Sequence, residues 1–208
     1  MTFKEYQELA MRTQAIKDNK HDMLIHAVCG LSSEIGEIIQ VYNELYDFYS
    51  RMNNINNRLH DRMIHELGDL CWFQAELCKA LDISINYKNI DNIDQIIMPN
   101  EEEEPFTVKR KSIPYQYLFT QMRYYIDRLN MSVGLISGAV QKTYQGREID
   151  TDKITQILYF MNILISSIVG CLGTQIEHIW EVNIEKLKAR FPEGFSEDLD
   201  AHRQEGDL

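Results

Sequence analysis

The sequence predicts an all-α protein, an antiparallel helical bundle, and three observations carry that prediction. The four prolines of the 208-residue chain sit at Pro99, Pro105, Pro114 and Pro192, which leaves residues 1–98 and 115–191 without the residue that breaks helix interiors. Apolar residues inside those blocks recur at i, i+3, i+4 and i+7, as Ile35, Ile38, Ile39 and Tyr42 do, the period of a helix with one buried stripe. Composition is that of an ordinary globular protein, 44% hydrophobic and 25% charged. Collagen-like, disordered and disulfide-framework classes therefore fall away.

Taken in order, residues 3–18 read as a first helix, followed by a polar break at 17–22. A second helix runs from about Met23 to Ser50, and the asparagine-rich stretch from Met52 to Asn57 reads as a turn. A third, from about Leu59 to Leu81, carries Leu67, Leu70, Leu77 and Leu81 on its stripe. Asp82 to Glu104 is irregular or short helix, ending in an acidic run between two prolines. Ile113 to about Lys142 reads as one or two helices, Asp150 to Gln175 as another, and Ile176 to Arg190 as a terminal helix stopped by Phe191-Pro192. The expected organisation is a catalytic helical half over 1–98, a linker over 99–112 and a second helical half over 113–208, packed as one bundle.

Charge and cysteine usage narrow the function. With 21 basic and 32 acidic residues the net charge is −11, which disfavours nucleic acid as a partner because that binding runs on phosphate neutralisation by Lys and Arg. Small anionic ligands stay open if a metal supplies positive charge. Cys29, Cys71, Cys78 and Cys171 form no CxxC pair, so neither a zinc site nor a disulfide framework is indicated and a reducing cytosol is expected. The polar opening Met-Thr-Phe-Lys-Glu lacks the apolar core of a signal peptide, and no export is expected. Ile154 to Ile176 is 23 residues without a charge, long enough to span a bilayer. Its Asn, Gln, Ser, Thr and Gly content favours a helix buried in the bundle over a membrane span.

The chemistry sits in Glu34-Ile-Gly-Glu37 and Glu66-Leu-Gly-Asp69, two acidic pairs each spaced i, i+3. That spacing puts both carboxylates of a pair on one helix face, about 60° apart. Each pair borders an apolar stripe and so points between packed helices. Four carboxylates converging there repel one another and raise their pKa values unless a cation sits among them. Hard oxygen ligands in that number favour Mg²⁺, with Mn²⁺ as the alternative, over zinc. Gly36 and Gly68 each cost about 1 kcal/mol in a helix interior relative to alanine, and close helix approach around a metal is a reason to keep them.

His26-Ala-Val-Cys-Gly-Leu-Ser-Ser-Glu-Ile-Gly-Glu37, followed by His65-Glu-Leu-Gly-Asp-Leu-Cys-Trp-Phe73, resembles the MazG-like all-α nucleoside triphosphate pyrophosphohydrolases, the superfamily that includes the dimeric dUTPases. The opening Thr2-Phe-Lys-Glu-Tyr-Gln and the stretch Asn183-Ile-Glu-Lys-Leu-Lys-Ala-Arg-Phe-Pro-Glu-Gly-Phe195 look like the first helix and the C-terminal tail of small members. The resemblance covers about residues 1–83 and 176–203. It implies that Glu34, Glu37, Glu66 and Asp69 are the catalytic and metal-binding acids, that Mg²⁺ held there binds a triphosphate, and that water cleaves it to nucleoside monophosphate and pyrophosphate. Glu34 is the candidate to orient that water. Asn183, Lys186 and Arg190 fall on one face of the terminal helix, placed to meet phosphate or sugar, and Trp72 and Phe73 are candidates to stack on a base. His26 is a weaker candidate, read as a helix-start or packing residue. A homo-oligomer is left open.

About a hundred residues separate the ExxD helix from the tail, where compact members have few. They are either an insertion or a fused second repeat. Setting Ser33–Ile39 on Leu135–Gln141 and Leu70–Ile83 on Met161–Thr174 places Ile136, Ala139, Ile157 and Phe160 at the positions of the four acids, as in a degenerate copy standing in for a partner subunit, with one metal cluster per chain. Rival readings are a dUTPase-type specificity, a non-catalytic helical interaction protein that keeps the fold, and a membrane-associated helical protein.

Overall fold

The computed structural model describes residues 1–16, 18–85 and 114–201, and among these the chain is helical without strands. The helices are α1 (Phe3–Ala10), α2 (Lys20–Met52), α3 (Asn57–Ala80), α4 (Tyr115–Gln141), α5 (Thr151–Leu172), α6 (Ile176–Arg190) and the short α7 (Glu197–Ala201). The 99–112 linker, with the whole acidic run, and residues 86–98 before it lie outside the described residues.

Local chemistry sets the boundaries. Thr2 and Glu5 form a reciprocal capping box at the start of α1. The helix then ends at Ala10, eight residues before the expected end. A short 3-10 turn over Met11–Thr13 follows, the Thr13 hydroxyl donates back to the Ala10 carbonyl at 2.8 Å, and Gln14 takes an extended conformation. The asparagines between α2 and α3 divide the work of the turn. Asn53 ends α2 in the left-handed region at φ 49°, and the Asn56 side chain accepts from the Leu59 N–H to start α3. Asp150 caps α5 in the same way, and Gly173 ends it at φ 90°. Of the one or two helices expected up to about Lys142, the described residues form one, α4, followed by a 3-10 turn over Lys142–Gln145.

The α2 and α3 hairpin makes the largest helix–helix interface, α4 lies along α2, and α5 pairs with α4 and touches α3. The last long helix, α6, rests on α3 and α1. One contiguous apolar core runs through these helices, from Phe3 to Leu187. Trp180 of α6 anchors that end of the bundle. It is 2% exposed, stacked on Tyr6 at 5.7 Å and set edge-on to Phe3 at 5.9 Å, contacts worth about 1 kcal/mol each beyond area burial.

Among the described residues two helices, Lys20–Met52 and Thr151–Leu172, are long and apolar enough to cross a bilayer by length and composition. The second is apolar because its residues meet α4 and α3 on more than one side, with Leu158, Met161, Ile165 and Ile168 at 0% exposure.

Candidate functional site

Two turns of α2 and two of α3 face each other where the acidic pairs sit. One ligand oxygen from each of Glu34, Glu37 and Glu66 lies within 4.8 Å of the other two. Glu66 is the deepest, 2% exposed, with Oε1 accepting from Arg62 Nε at 3.0 Å, while Arg62 also reaches Glu44 at 3.4 Å. Crowding and burial show in the proton affinities. Burial pushes the Glu34 carboxyl up to about 8, with Asp69, Glu37 and Glu66 adding repulsion and Lys186 opposing it. Burial also raises Glu66, against the pull of Arg62.

Asp69 stands beside this triad and is engaged with α6. Its Oδ1 accepts from Asn183 Nδ2 at 2.9 Å and its Oδ2 from Lys186 Nζ at 2.5 Å, a charge-assisted contact. Asn183 is 2% exposed and behind the acid, its own Oδ1 accepting from the Tyr6 hydroxyl at 2.8 Å. It therefore holds Asp69 in place from behind, a positioning contact beside the expected role of meeting phosphate or sugar. Lys186 and Arg190 do line the cleft in front of the acids.

The motif glycines separate. A Cβ on Gly68 would lie 3.0 Å from Asn183 Cβ and 3.1 Å from its Nδ2, so glycine lets α6 approach α3 at this point. A Cβ on Gly36 would meet nothing within 4 Å, so close packing does not account for that glycine. The glycine with the tightest neighbour is Gly30, whose backbone carries the Phe73 ring at 2.1 Å from an added Cβ.

The cleft has a volume of about 330 Å³. The four acids, Lys186 and Arg190 line it together with Trp72, Phe73, Phe191 and Phe195, which supply its aromatic wall. Trp72 and Phe73 meet edge-to-face at 5.1 Å, and the indole N–H of Trp72 donates to Thr13 Oγ1 and the Ala10 carbonyl at 3.1 and 3.2 Å. His26, on α2 two turns before Glu34, also lines the cleft, its Nδ1–H donating to Glu76 at 2.7 Å.

Sequence reasoning placed the acids, Lys186, Arg190, Trp72 and Phe73 in one cleft, but missed Glu76, Gln14, Tyr6, Phe191 and Phe195. Glu76 carried a readable signal, an acid inside the Leu70–Leu77 stripe. Tyr6 and Gln14 carried none, because their partners lie 62 or more residues away. A second cavity, about 290 Å³, opens near the α2–α3 turn between Leu45, Phe119, Met122 and Leu172, and no acidic or Lys/Arg side chain lines it. Compared with family models, curated proteins and solved structures, the chain matches none, so what this cleft does is argued from its own geometry.

Proposed function

We propose that the protein is a divalent-cation-dependent nucleoside triphosphate pyrophosphohydrolase of MazG-like type, converting a nucleoside triphosphate to the monophosphate and pyrophosphate. The observation that carries this is the make-up of the cleft: three carboxylates within 4.8 Å of one another, cationic side chains of α6, and aromatic rings lining the same cavity.

The donor set fits a hard cation. Three carboxylates, one of them 2% exposed, converge with a fourth beside them, an arrangement that repels itself unless positive charge is added. Glu34, Glu37 and Glu66 would hold Mg²⁺ or Mn²⁺, with Asp69 completing the set. Bound there, such an ion supplies charge neutralisation and Lewis acidity toward phosphate oxygens and water. The remaining work belongs to the chain. Lys186 and Arg190 bind phosphate oxygens across from the acids, Asn183 and Tyr6 keep Asp69 in register, and Glu34 orients the attacking water. That water displaces pyrophosphate from the α-phosphorus as the bond to the bridging oxygen breaks, and its proton passes to solvent or to a carboxylate. Trp72 and Phe73 give the base a surface to stack on and shelter it from water.

The test is a pyrophosphate-release screen of canonical and damaged nucleoside triphosphates with Mg²⁺, with chromatography identifying the products. Monophosphate and pyrophosphate from at least one of them, abolished by chelator, are expected. Orthophosphate as the primary product, or no turnover of any nucleotide, would overturn the reading.

A further inference from the structure

Beside the aromatic wall of the cleft, α3 carries a carboxylate that the metal chemistry does not use. Glu76 is 0% exposed, flanked in sequence by the buried Ala75 and Leu77. A buried carboxylate on such a face is costly unless it is fully hydrogen-bonded, and this one is held from two directions. Gln14 Nε2, itself 0% exposed, donates to one oxygen at 3.2 Å, and Lys79 fixes Gln14 by donating to its Oε1 at 2.6 Å. The other oxygen accepts from His26 Nδ1 at 2.7 Å. The early end of α1 serves this arrangement, since Gln14 reaches Glu76 only because the chain leaves the helix there.

The result is an imidazole whose orientation and tautomer are set from behind. With Nδ1–H spent on Glu76, the ring edge that remains is Nε2, on a side chain still 43% exposed and lining the cleft. The ring is bracketed by Phe73 at 5.5 Å and Trp72 at 6.2 Å. Phe73 can take that place only because Gly30, one turn after His26 on α2, has no side chain. An oriented polar edge beside aromatic faces is how a planar heterocycle is both stacked and read. In the charged imidazolium form, which the carboxylate favours by raising the imidazole pKa, Nε2 is a donor and its natural partner is a carbonyl oxygen.

We propose that His26, positioned by Glu76, reads the base of the nucleotide by donating from Nε2 to a ring carbonyl, so that the protein favours keto bases over their amino counterparts. This rests on the pyrophosphohydrolase reading and names its substrate class. His26 is a specificity residue and Glu76 a positioning residue.

The experiment measures kcat/KM for pyrophosphate release with two matched pairs that differ only in keto against amino, dUTP with dCTP and dITP with dATP. In the better-hydrolysed pair the keto member is expected to lead by about tenfold or more, the scale of a hydrogen bond to a charged donor. His26→Phe should collapse that ratio toward one, chiefly through KM of the keto member. His26→Gln, whose amide still donates, should restore part of it, and Glu76→Gln should lower it although His26 is intact. Circular dichroism melts confirm that each variant is folded, and the wild-type ratio needs no variant. Turnover without keto preference, or a preference untouched by His26→Phe, overturns this inference and leaves the pyrophosphohydrolase reading standing. No pyrophosphate from any nucleotide brings down both.

Discussion

The α2–α3 and α4–α5 hairpins have the same build, two long helices joined by a short connection, and opposite interiors. Where the first carries Glu34, Glu37, Glu66 and Asp69, the aligned positions of the second are Ile136, Ala139, Ile157 and Phe160, with Ile136, Ile157 and Phe160 at 0%, 3% and 5% exposure. The second hairpin spends those positions on apolar burial, about 1.5–3 kcal/mol for each large side chain. The first spends them on negative charge held close together, with Glu34 pushed up to about 8. The lesson is a division of labour: at these positions one hairpin gathers carboxylates, and the other, packed along it, supplies cohesion.

The largest expected effect breaks the first hairpin's side of this division. Glu66→Gln keeps shape and removes one charge from the proposed metal set. Pyrophosphate release should fall by at least the roughly 10–100-fold that loss of even an outer-shell partner costs, with the fold retained. Gln156→Ala, at an exposed position beside Ile157, should leave turnover unchanged. Near-normal turnover in Glu66→Gln would place the chemistry elsewhere.

The converse change is Ile157→Ala in the second hairpin. It should cost about 2–5 kcal/mol of stability, read by denaturant unfolding, while cation affinity measured by titration calorimetry on the folded fraction stays within a few fold, roughly the noise of independent sites. A selective loss of cation binding would show that the hairpins are not separable in this sense.

Proton linkage sharpens the comparison. Glu34 holds its proton to about 8 when folded, against 4.5 ordinarily. The folded state thus binds the extra proton between those values, and stability falls as pH rises through that window. In chelator, the melting temperature should drop across it, less so in Glu34→Gln. Mg²⁺ should raise it most at the alkaline end, where Glu34 gives up its proton. A Mg²⁺ effect of equal size at both ends of the window would contradict this.

The smallest effects separate the two motif glycines. Gly36→Ala should gain about 0.5–1 kcal/mol in thermal unfolding from helix propensity alone, because nothing lies near the added methyl. Gly68→Ala should gain nothing and reduce turnover, since its methyl must displace Asn183 and through it Asp69.

What could be read from the sequence was what helical periodicity encodes. The acids of each pair are three residues apart, so their shared face follows from the helix itself, and the bounds of α6 follow from Phe191-Pro192 and the apolar pattern. The end of α1 was not legible, because a tertiary demand, Gln14 reaching Glu76, overrides a local pattern that continues toward residue 18. The same holds for His26. On its own helix it resembles any polar residue near an N-terminus, and its partner is 50 residues away. For Asn183 the helix was legible and its hold on Asp69 was not, since its burial against Tyr6 is set by a contact across 177 residues.

That last contact bears on the order of assembly. Tyr6 to Asn183 and Asp69 to Lys186 close loops of 177 and 117 residues, whereas the acidic hairpin closes over a few. Closing a loop costs entropy that rises with its length, roughly as (3/2)RT ln n, and contacts remote in sequence form slowly. The acids therefore come together early, as a self-repelling hairpin with Arg62 as the counter-charge it brings to Glu66, and Lys186 arrives late, when α6 docks on α1 and α3. A refolding chain should recover its helical signal well before its competence to bind a polyphosphate, with the interval set by the docking of one fifteen-residue helix.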